Sequence, residues 1–128
     1  MVIFTGDFII KQGEQRVMLP TKNYLTMGDE GCLQKDVFTW VWAEDGEWGW
    51  IVPKTMPSRV VDLLGKKAAL RSKNSRDHQK FKFYGKMLLS KAYSGYAMAT
   101  TADSILKAVP IEDGSASQVW TVEKGRIY

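Results

Sequence analysis

Positive charge is concentrated in one segment of the chain. The 128 residues carry a net charge of +4, and half of the eighteen lysines and arginines fall within residues 66–91, where Asp77 is the one acidic residue. A block of one sign is typical of a face that binds a polyanion, because lysines and arginines neutralise phosphates. The candidates for phosphate contact are Lys66, Lys67, Arg71, Lys73, Arg76, Lys80 and Lys82. The alternative interpretation is a solvated face without a ligand.

Aromatic side chains alternate with this charge in the sequence HQKFKFYGK, residues 78–86. In an extended strand the lysines and Tyr84 lie on one face, and Phe81 and Phe83 lie on the other. Cations for the backbone and rings for the bases are what a nucleic-acid-binding sheet surface needs. In the alternative, the two phenylalanines belong to the core, and the lysines can still bind phosphate.

Four of the five tryptophans fall within WVWAEDGEWGW, residues 40–50, which predicts a β-hairpin. We favour a three-residue loop over residues 44–46, because that register places all four indoles on one face. Trp40 and Trp50, farther from the turn, are then predicted to be core residues. The candidate aromatic contacts with a partner are Trp42, Trp48 and Tyr84.

A second register suits the same hairpin. A two-residue loop at Asp45-Gly46 pairs Trp42 with Gly49 and moves the two strands by one residue relative to each other. Trp48 and Trp50 then lie on the face opposite Trp40, because side chains alternate along a strand.

Catalytic residues are scarce. His78 is the sole histidine and Cys32 the sole cysteine, which excludes a two-histidine phosphodiesterase and a thiolate zinc site within one chain. The sequence has neither a phosphate-binding glycine loop nor a nucleophile elbow. We therefore expect no metal, no cofactor and no catalytic residues, with His78 exposed and Cys32 buried. Two catalytic hypotheses are left open by the sequence, a site built on a pair of carboxylates and a site built on a reactive Cys32.

Length and hydropathy limit the architecture. Residues 1–128 are long enough for one globular domain, and no run approaches the eighteen or so apolar residues of a membrane span. The first residues lack the features of a signal peptide. The expectation is a reduced, cytoplasmic protein that does not bind membranes, of undetermined oligomeric state.

The strand signals are strongest in the first half of the chain. The first twenty residues predict a strand pair around the turn at 12–14, and Val37–Ala43 and Trp48–Val52 predict two more strands. Residues 21–36 indicate a loop. A closing strand or hairpin is predicted over 118–128.

Helices are predicted between these strands. Ser58 is placed to cap a helix that ends at Gly65, and Thr100 or Thr101 is placed to cap one that ends at Pro110. Residues 86–98 suit either a helix or a strand. We find no internal repeat. The predicted fold class is α+β: a small twisted antiparallel sheet or partly open barrel with two or three short helices.

These observations favour a small, non-enzymatic nucleic-acid-binding protein of low sequence specificity. The first alternative is a protein-binding inhibitor or adaptor that uses the tryptophan hairpin as its hot spot, because tryptophan is enriched at such positions. The second is a small nucleotide-directed enzyme. The predicted partner is accordingly nucleic acid or an acidic protein surface.

Overall fold

The computed structural model describes residues 7–18, 24–28, 37–43, 46–74 and 76–124. Within them, twelve strands belong to one curled antiparallel sheet. The strands are β1 (Asp7–Gln12), β2 (Gln15–Met18), β3 (Thr26–Gly28), β4 (Phe38–Trp42), β5 (Gly49–Pro53), β6 (Arg59–Leu64), β7 (Lys67–Ser72), β8 (Phe81–Tyr84), β9 (Met87–Ser90), β10 (Tyr96–Thr100), β11 (Leu106–Pro110) and β12 (Thr121–Lys124). Two single-turn 3-10 helices, Asp77–Gln79 and Ala116–Gln118, precede β8 and β12. No helix in these described ranges is long and apolar enough to cross a membrane.

The twelve strands form three similar units of four. In each unit the two middle strands pair as a hairpin: β2–β3, β6–β7 and β10–β11. The first and last strands of the units build the sheet around the core, through the pairs β1–β4, β4–β5, β5–β8 and β8–β9. β12 returns to pair with β1, so the end of the described chain lies beside its beginning.

The three hairpins meet one another. Tyr24 bridges to Ala69, Thr26 bridges to Ile105, and Lys107 on β11 pairs with Lys67 on β7. Backbone hydrogen bonds join the same segments, from the Leu25 N–H to the Ala68 carbonyl at 2.9 Å among others. Each hairpin therefore supports the other two.

One large apolar cluster lies between the hairpins and the outer strands. An aromatic residue begins the last strand of each unit or directly precedes it, and Phe38, Phe81 and Trp120 are all buried there. The indole Nε1 of Trp120 donates to the Met98 carbonyl at 2.9 Å, so its one polar atom is satisfied inside the core. Burial of rings of this size is a main stabilising contribution in a domain of this length.

The α+β prediction was wrong, because the segments predicted as helices are strands. Val60, Val61 and Leu64 lie on β6, and Gly65 begins a two-residue turn into β7 rather than ending a helix. Gly65 and Lys66 both have positive φ, 59° and 71°, as a type I′ hairpin turn requires. A left-handed glycine serves a helix end and a hairpin turn equally, so the glycine signal did not discriminate between them.

The second predicted helix, which ends at Pro110, comprises the turn between β10 and β11 and β11 itself. The Thr101 hydroxyl donates to the Ile105 carbonyl at 3.0 Å and to the Asp103 carboxylate, so Thr101 stabilises a turn instead of capping a helix. Residues 86–98, which suited either state, form β9 and most of β10. Threonine side chains bond to nearby backbone in both settings, which explains the misassignment.

The strands predicted within 7–18, 37–43 and 48–52 are confirmed. β3 was missed inside the predicted loop of 21–36, and the expectation of no repeat was wrong, because the three units repeat one arrangement of strands. Cys32, Met1–Thr5 and residues 125–128 lie outside the described residues.

Candidate functional site

A polar cleft opens beside the β6–β7 hairpin. It has a volume of about 240 Å³ and combines charged, amide and aromatic side chains from β6, β7, the following loop and the segment after β9. The residues that line it are Asp62, Leu63, Gly65, Arg71, Asn74, Arg76, His78 and Tyr93. Convergence of several polar groups on one concave surface is the usual mark of a small-ligand site.

Gln79 holds the floor of this cleft together. Its side chain is fully buried, and its amide nitrogen donates to the Asp62 carboxylate and to the Ser72 carbonyl, each at 2.9 Å. Its amide oxygen accepts the Asn74 N–H at 2.8 Å. One amide therefore joins β6, the end of β7 and the loop that carries the cleft residues, so these groups are positioned before any ligand arrives.

Gln118 has the same role in the third unit. It is also buried, donates to the Pro110 carbonyl at 2.8 Å and accepts the Glu112 N–H at 3.0 Å. Both glutamines end a 3-10 helix and stand two residues before a buried aromatic, in Gln79-Lys80-Phe81 and Gln118-Val119-Trp120. This repeated spacing is the sequence signal that could have revealed both the internal repeat and the segment that forms the cleft.

One wall of the cleft is aromatic. The His78 ring meets the Tyr93 ring edge-to-face, with centroids 5.6 Å apart. Tyr93 packs in turn on Tyr96, with centroids 5.9 Å apart, and the Lys66 ammonium lies 5.0 Å and 5.7 Å from the centroids of Tyr96 and Tyr93. The left-handed turn at Lys66 thus carries its side chain to the tyrosines that back the cleft.

Two arginines also line the cleft. Arg71 and Arg76 are exposed, whereas Asp62 is buried and already accepts a hydrogen bond from Gln79. The Asn74 carboxamide oxygen accepts the Arg76 N–H at 2.9 Å, which fixes the backbone that presents Arg76. The sequence predicted Arg71 and Arg76 as site residues and His78 as exposed; it missed Asp62, Asn74 and Tyr93.

The tryptophan hairpin does not contribute to this cleft, and its favoured register was wrong. Trp42 pairs with Gly49 and Trp40 with Ile51, which is the alternative register. Gly49 leaves room for the Trp40 indole, since a Cβ at Gly49 would lie 2.2 Å from a Trp40 ring carbon. Trp40 faces the main core, and Trp50 lies on the opposite face in a smaller cluster with Ala43 and Val60.

The predicted burial of these indoles is nevertheless confirmed. Trp40 and Trp50 are buried, Trp48 is half-buried, and Trp42 is 36% exposed. Tyr84, the third predicted aromatic contact, is 63% exposed at the end of β8. The alternation in residues 80–83 is also confirmed, because Phe81 is buried and Phe83 packs against the same core.

The predicted cations do not converge as one surface; most lie over separate rings. The Nζ of Lys73 is 3.7 Å from the Trp50 ring centroid, that of Lys67 is 5.2 Å from the Tyr24 centroid, and that of Lys82 is 5.4 Å from the Trp48 centroid. Lys82 also pairs with Glu47 at 2.8 Å. Lys80 is half-buried beside β8. Of the seven, the structure brings only Arg71 and Arg76 together in the cleft.

The ionisable side chains that line the cleft include one carboxylate and one imidazole. Asp62 is the one carboxylate among the described lining residues, and no group of three potential metal ligands occurs within the described ranges. The shifted carboxyl pKa values belong to residues that do not line the cleft: Lys54 and Thr39 lower the pKa of Asp7, and Thr101 lowers that of Asp103.

The sequence matches no protein-family model, and no curated protein matches it. Its structure is similar to solved β-trefoil domains. An earthworm R-type lectin C-half in complex with GalNAc has a TM-score of 0.74 at 10% identity, over 94% of this chain and all of that one. The designed three-fold symmetric protein ThreeFoil has a TM-score of 0.75 at 13% identity, over 92% and 98%.

A mosquitocidal holotoxin has a TM-score of 0.84 at 13% identity over 98% of this chain, and this chain spans 18% of that protein. The twelve strands in three units therefore resemble the β-trefoil of lectin-like domains. The predicted nucleic-acid-binding function is corrected by this finding, and so is the predicted partner, nucleic acid or an acidic protein surface, because the solved structures with a similar fold include lectin domains.

Proposed function

We propose that this protein binds carbohydrate in the cleft between the β6–β7 hairpin and Tyr93. The observation that carries the proposal is the lining itself, in which aromatic rings and hydrogen-bonding groups share one concave space. A pyranose has apolar C–H faces and a rim of hydroxyls, so it needs both kinds of contact at once. The cleft supplies both.

The polar groups match hydroxyls in donor and acceptor character. Arginine donates only, a carboxylate accepts only, and a carboxamide does both. Arg71 and Asp62 thus offer opposite halves of the contact with a hydroxyl, which is itself donor and acceptor. Because Gln79 holds Asp62 and the Asn74 backbone in place, little ordering entropy is lost on binding.

The aromatic groups suit the apolar face of a sugar. Tyr93 is in ring contact with both His78 and Tyr96, and these contacts restrict the orientation of its ring. The lectin neighbours support the same ligand class, since one was solved with GalNAc and another with 6'-sialyllactose. Glycoside hydrolysis needs a pair of carboxylates, and the described lining holds Asp62 alone.

A glycan array followed by calorimetry tests the proposal. Tyr93→Leu keeps an apolar side chain but removes the flat ring, and should weaken binding of the best glycan by about two- to twelvefold, since ring stacking is worth about 0.5–1.5 kcal/mol. The matched control is Tyr84→Leu, because Tyr84 is exposed and does not line the cleft. Equal weakening by both variants, or no bound glycan at all, contradicts the proposal.

A further inference from the structure

We infer that the cleft selects an acidic sugar, one that carries a carboxylate or a sulfate. The inference rests on the proposed function and concerns which sugar the same site takes. Its basis is the charge of the lining, which holds two guanidinium groups and one carboxylate.

The two arginines keep their hydrogen-bonding capacity for a ligand. Neither Arg71 nor Arg76 makes a side-chain hydrogen bond or an ion pair within the described part of the chain. Lys11, Lys54 and Lys82, by contrast, each pair with a carboxylate. A guanidinium presents a planar set of donors that fits both oxygens of a carboxylate or sulfate.

Asp62 does not cancel this positive charge at the mouth of the cleft. It is 5% exposed, and one of its oxygens accepts the Gln79 amide. Arg71 and Arg76 are exposed, so the acid lies at the floor and the cations at the rim. An incoming anion therefore meets the guanidinium groups first.

The rim is also held in position. Asn74 fixes the Arg76 N–H, and Lys73 packs its ammonium 3.7 Å from the Trp50 ring centroid, which attaches the loop before Arg76 to the outer face of β5. The Lys66 ammonium, 5.7 Å from the centroid of Tyr93, adds positive charge near this ring although Lys66 does not line the cleft. Charge and ring thus converge on one ligand position.

The test compares galacturonic acid with galactose, which share a ring and differ in the carboxylate at C6. Isothermal titration should give at least tenfold tighter binding of the acid. Acetate, which has the carboxylate without the ring, should bind at least tenfold more weakly than galacturonate. The double variant Arg71→Gln/Arg76→Gln should lose the preference for the acid, so that galacturonate and galactose bind with similar affinity.

Arg59→Gln is the matched control, because Arg59 is an exposed arginine on β6 that does not line the cleft. It should keep the preference for galacturonate, and thermal unfolding should show that all variants are folded. Equal affinity for both sugars, or a preference that survives the double variant, overturns this inference and leaves carbohydrate binding intact. Acetate binding as tightly as galacturonate shows a plain anion site and also overturns it. Binding of neither sugar counts against both proposals.

Discussion

The Trp40–Trp50 hairpin and the β6–β7 cleft use aromatic rings in opposite ways. In the hairpin, Trp40 fills the core with its indole packed over Gly49, and Trp50 packs on the other face beneath Lys73. In the cleft, Tyr93 stays half-buried among charged and amide side chains. The larger rings stabilise the fold, while the smaller ring beside polar groups forms the candidate site.

This difference shows why aromatic density alone is a poor guide to a binding surface. Indoles bury more apolar area than any other side chain and are drawn inside wherever a strand face allows it. Hydrogen-bonding groups that converge on a concave surface carry a stronger functional signal, because burying them without a ligand or partner costs free energy. The following substitutions test this division between the two regions.

Trp40→Ala should give the largest effect. Truncation of a buried tryptophan costs about 3–5 kcal/mol, a large fraction of the stability of a domain of this size. Urea unfolding should show this loss, and Trp42→Ala should cost less than about 1 kcal/mol because Trp42 is 36% exposed. Similar losses for the two variants would mean that burial does not distinguish these two indoles, whose ring centroids lie 5.5 Å apart.

Gln79→Met should damage both stability and the cleft. It leaves the Asp62 carboxylate and the Asn74 N–H without their partner, at a cost of about 1–3 kcal/mol. Gln118→Met is the matched control, since Gln118 makes the same kind of bonds in the third unit. Both should lower the urea midpoint, but only the Gln79 variant should lose glycan binding. Loss of binding in both would place the site elsewhere.

Lys73→Met should have a smaller effect. It removes the ammonium above Trp50 and costs about 0.5–1 kcal/mol, the range for an exposed cation–π contact. Tryptophan emission should change as the environment of Trp50 becomes less polar, and glycan affinity should fall by a few fold as the loop loosens. Unchanged tryptophan emission and unchanged glycan affinity would show that the contact between Lys73 and Trp50 does not influence the cleft.

The smallest effect concerns pH. Hydrogen bonds from Lys54 and Thr39 lower the pKa of Asp7 below its ordinary 3.8, so this carboxylate stabilises the fold above that pH. The contribution is lost as pH falls through the lowered value, because Asp7 then takes up a proton in the folded state. Asp7→Asn should therefore reduce stability slightly at pH 7 and flatten its decline below about pH 4, as urea midpoints would show. If the stability of the variant falls as steeply below about pH 4 as that of the wild type, the acid-induced loss of stability comes from other carboxylates.

Strand positions could be predicted from sequence where alternation and a turn signal coincide, as in Val37–Ala43 and Trp48–Val52. Strand positions could not be predicted where the same sequence pattern suits both a helix and a strand. Val60, Val61 and Leu64 suit a helix face by spacing, and Gly65 suits both a helix end and a type I′ turn. Pairing with β7 decides the outcome, and pairing is a non-local contact that spacing does not encode.

The cleft was harder to predict, because its residues come from separate segments. Asp62, Arg71 and Tyr93 lie on different elements and form no motif in the sequence. Arg71 and Arg76 were identified through charge, although for a different ligand. The prediction of the hairpin register failed for a local reason. Gly49 accommodates the Trp40 ring, and that packing favours the register in which Trp42 lies opposite Gly49.

Amide chemical shifts measured during titration with the best glycan on the array test the central claim most directly. We expect saturable chemical-shift changes at the amides of cleft residues such as Gly65, Asn74 and His78. The amide shifts of the hairpin-tip residue Gly46 and of the exposed Trp42 should stay unchanged. Shifts centred on the tryptophan hairpin, or a cleft that responds to no glycan, would contradict it.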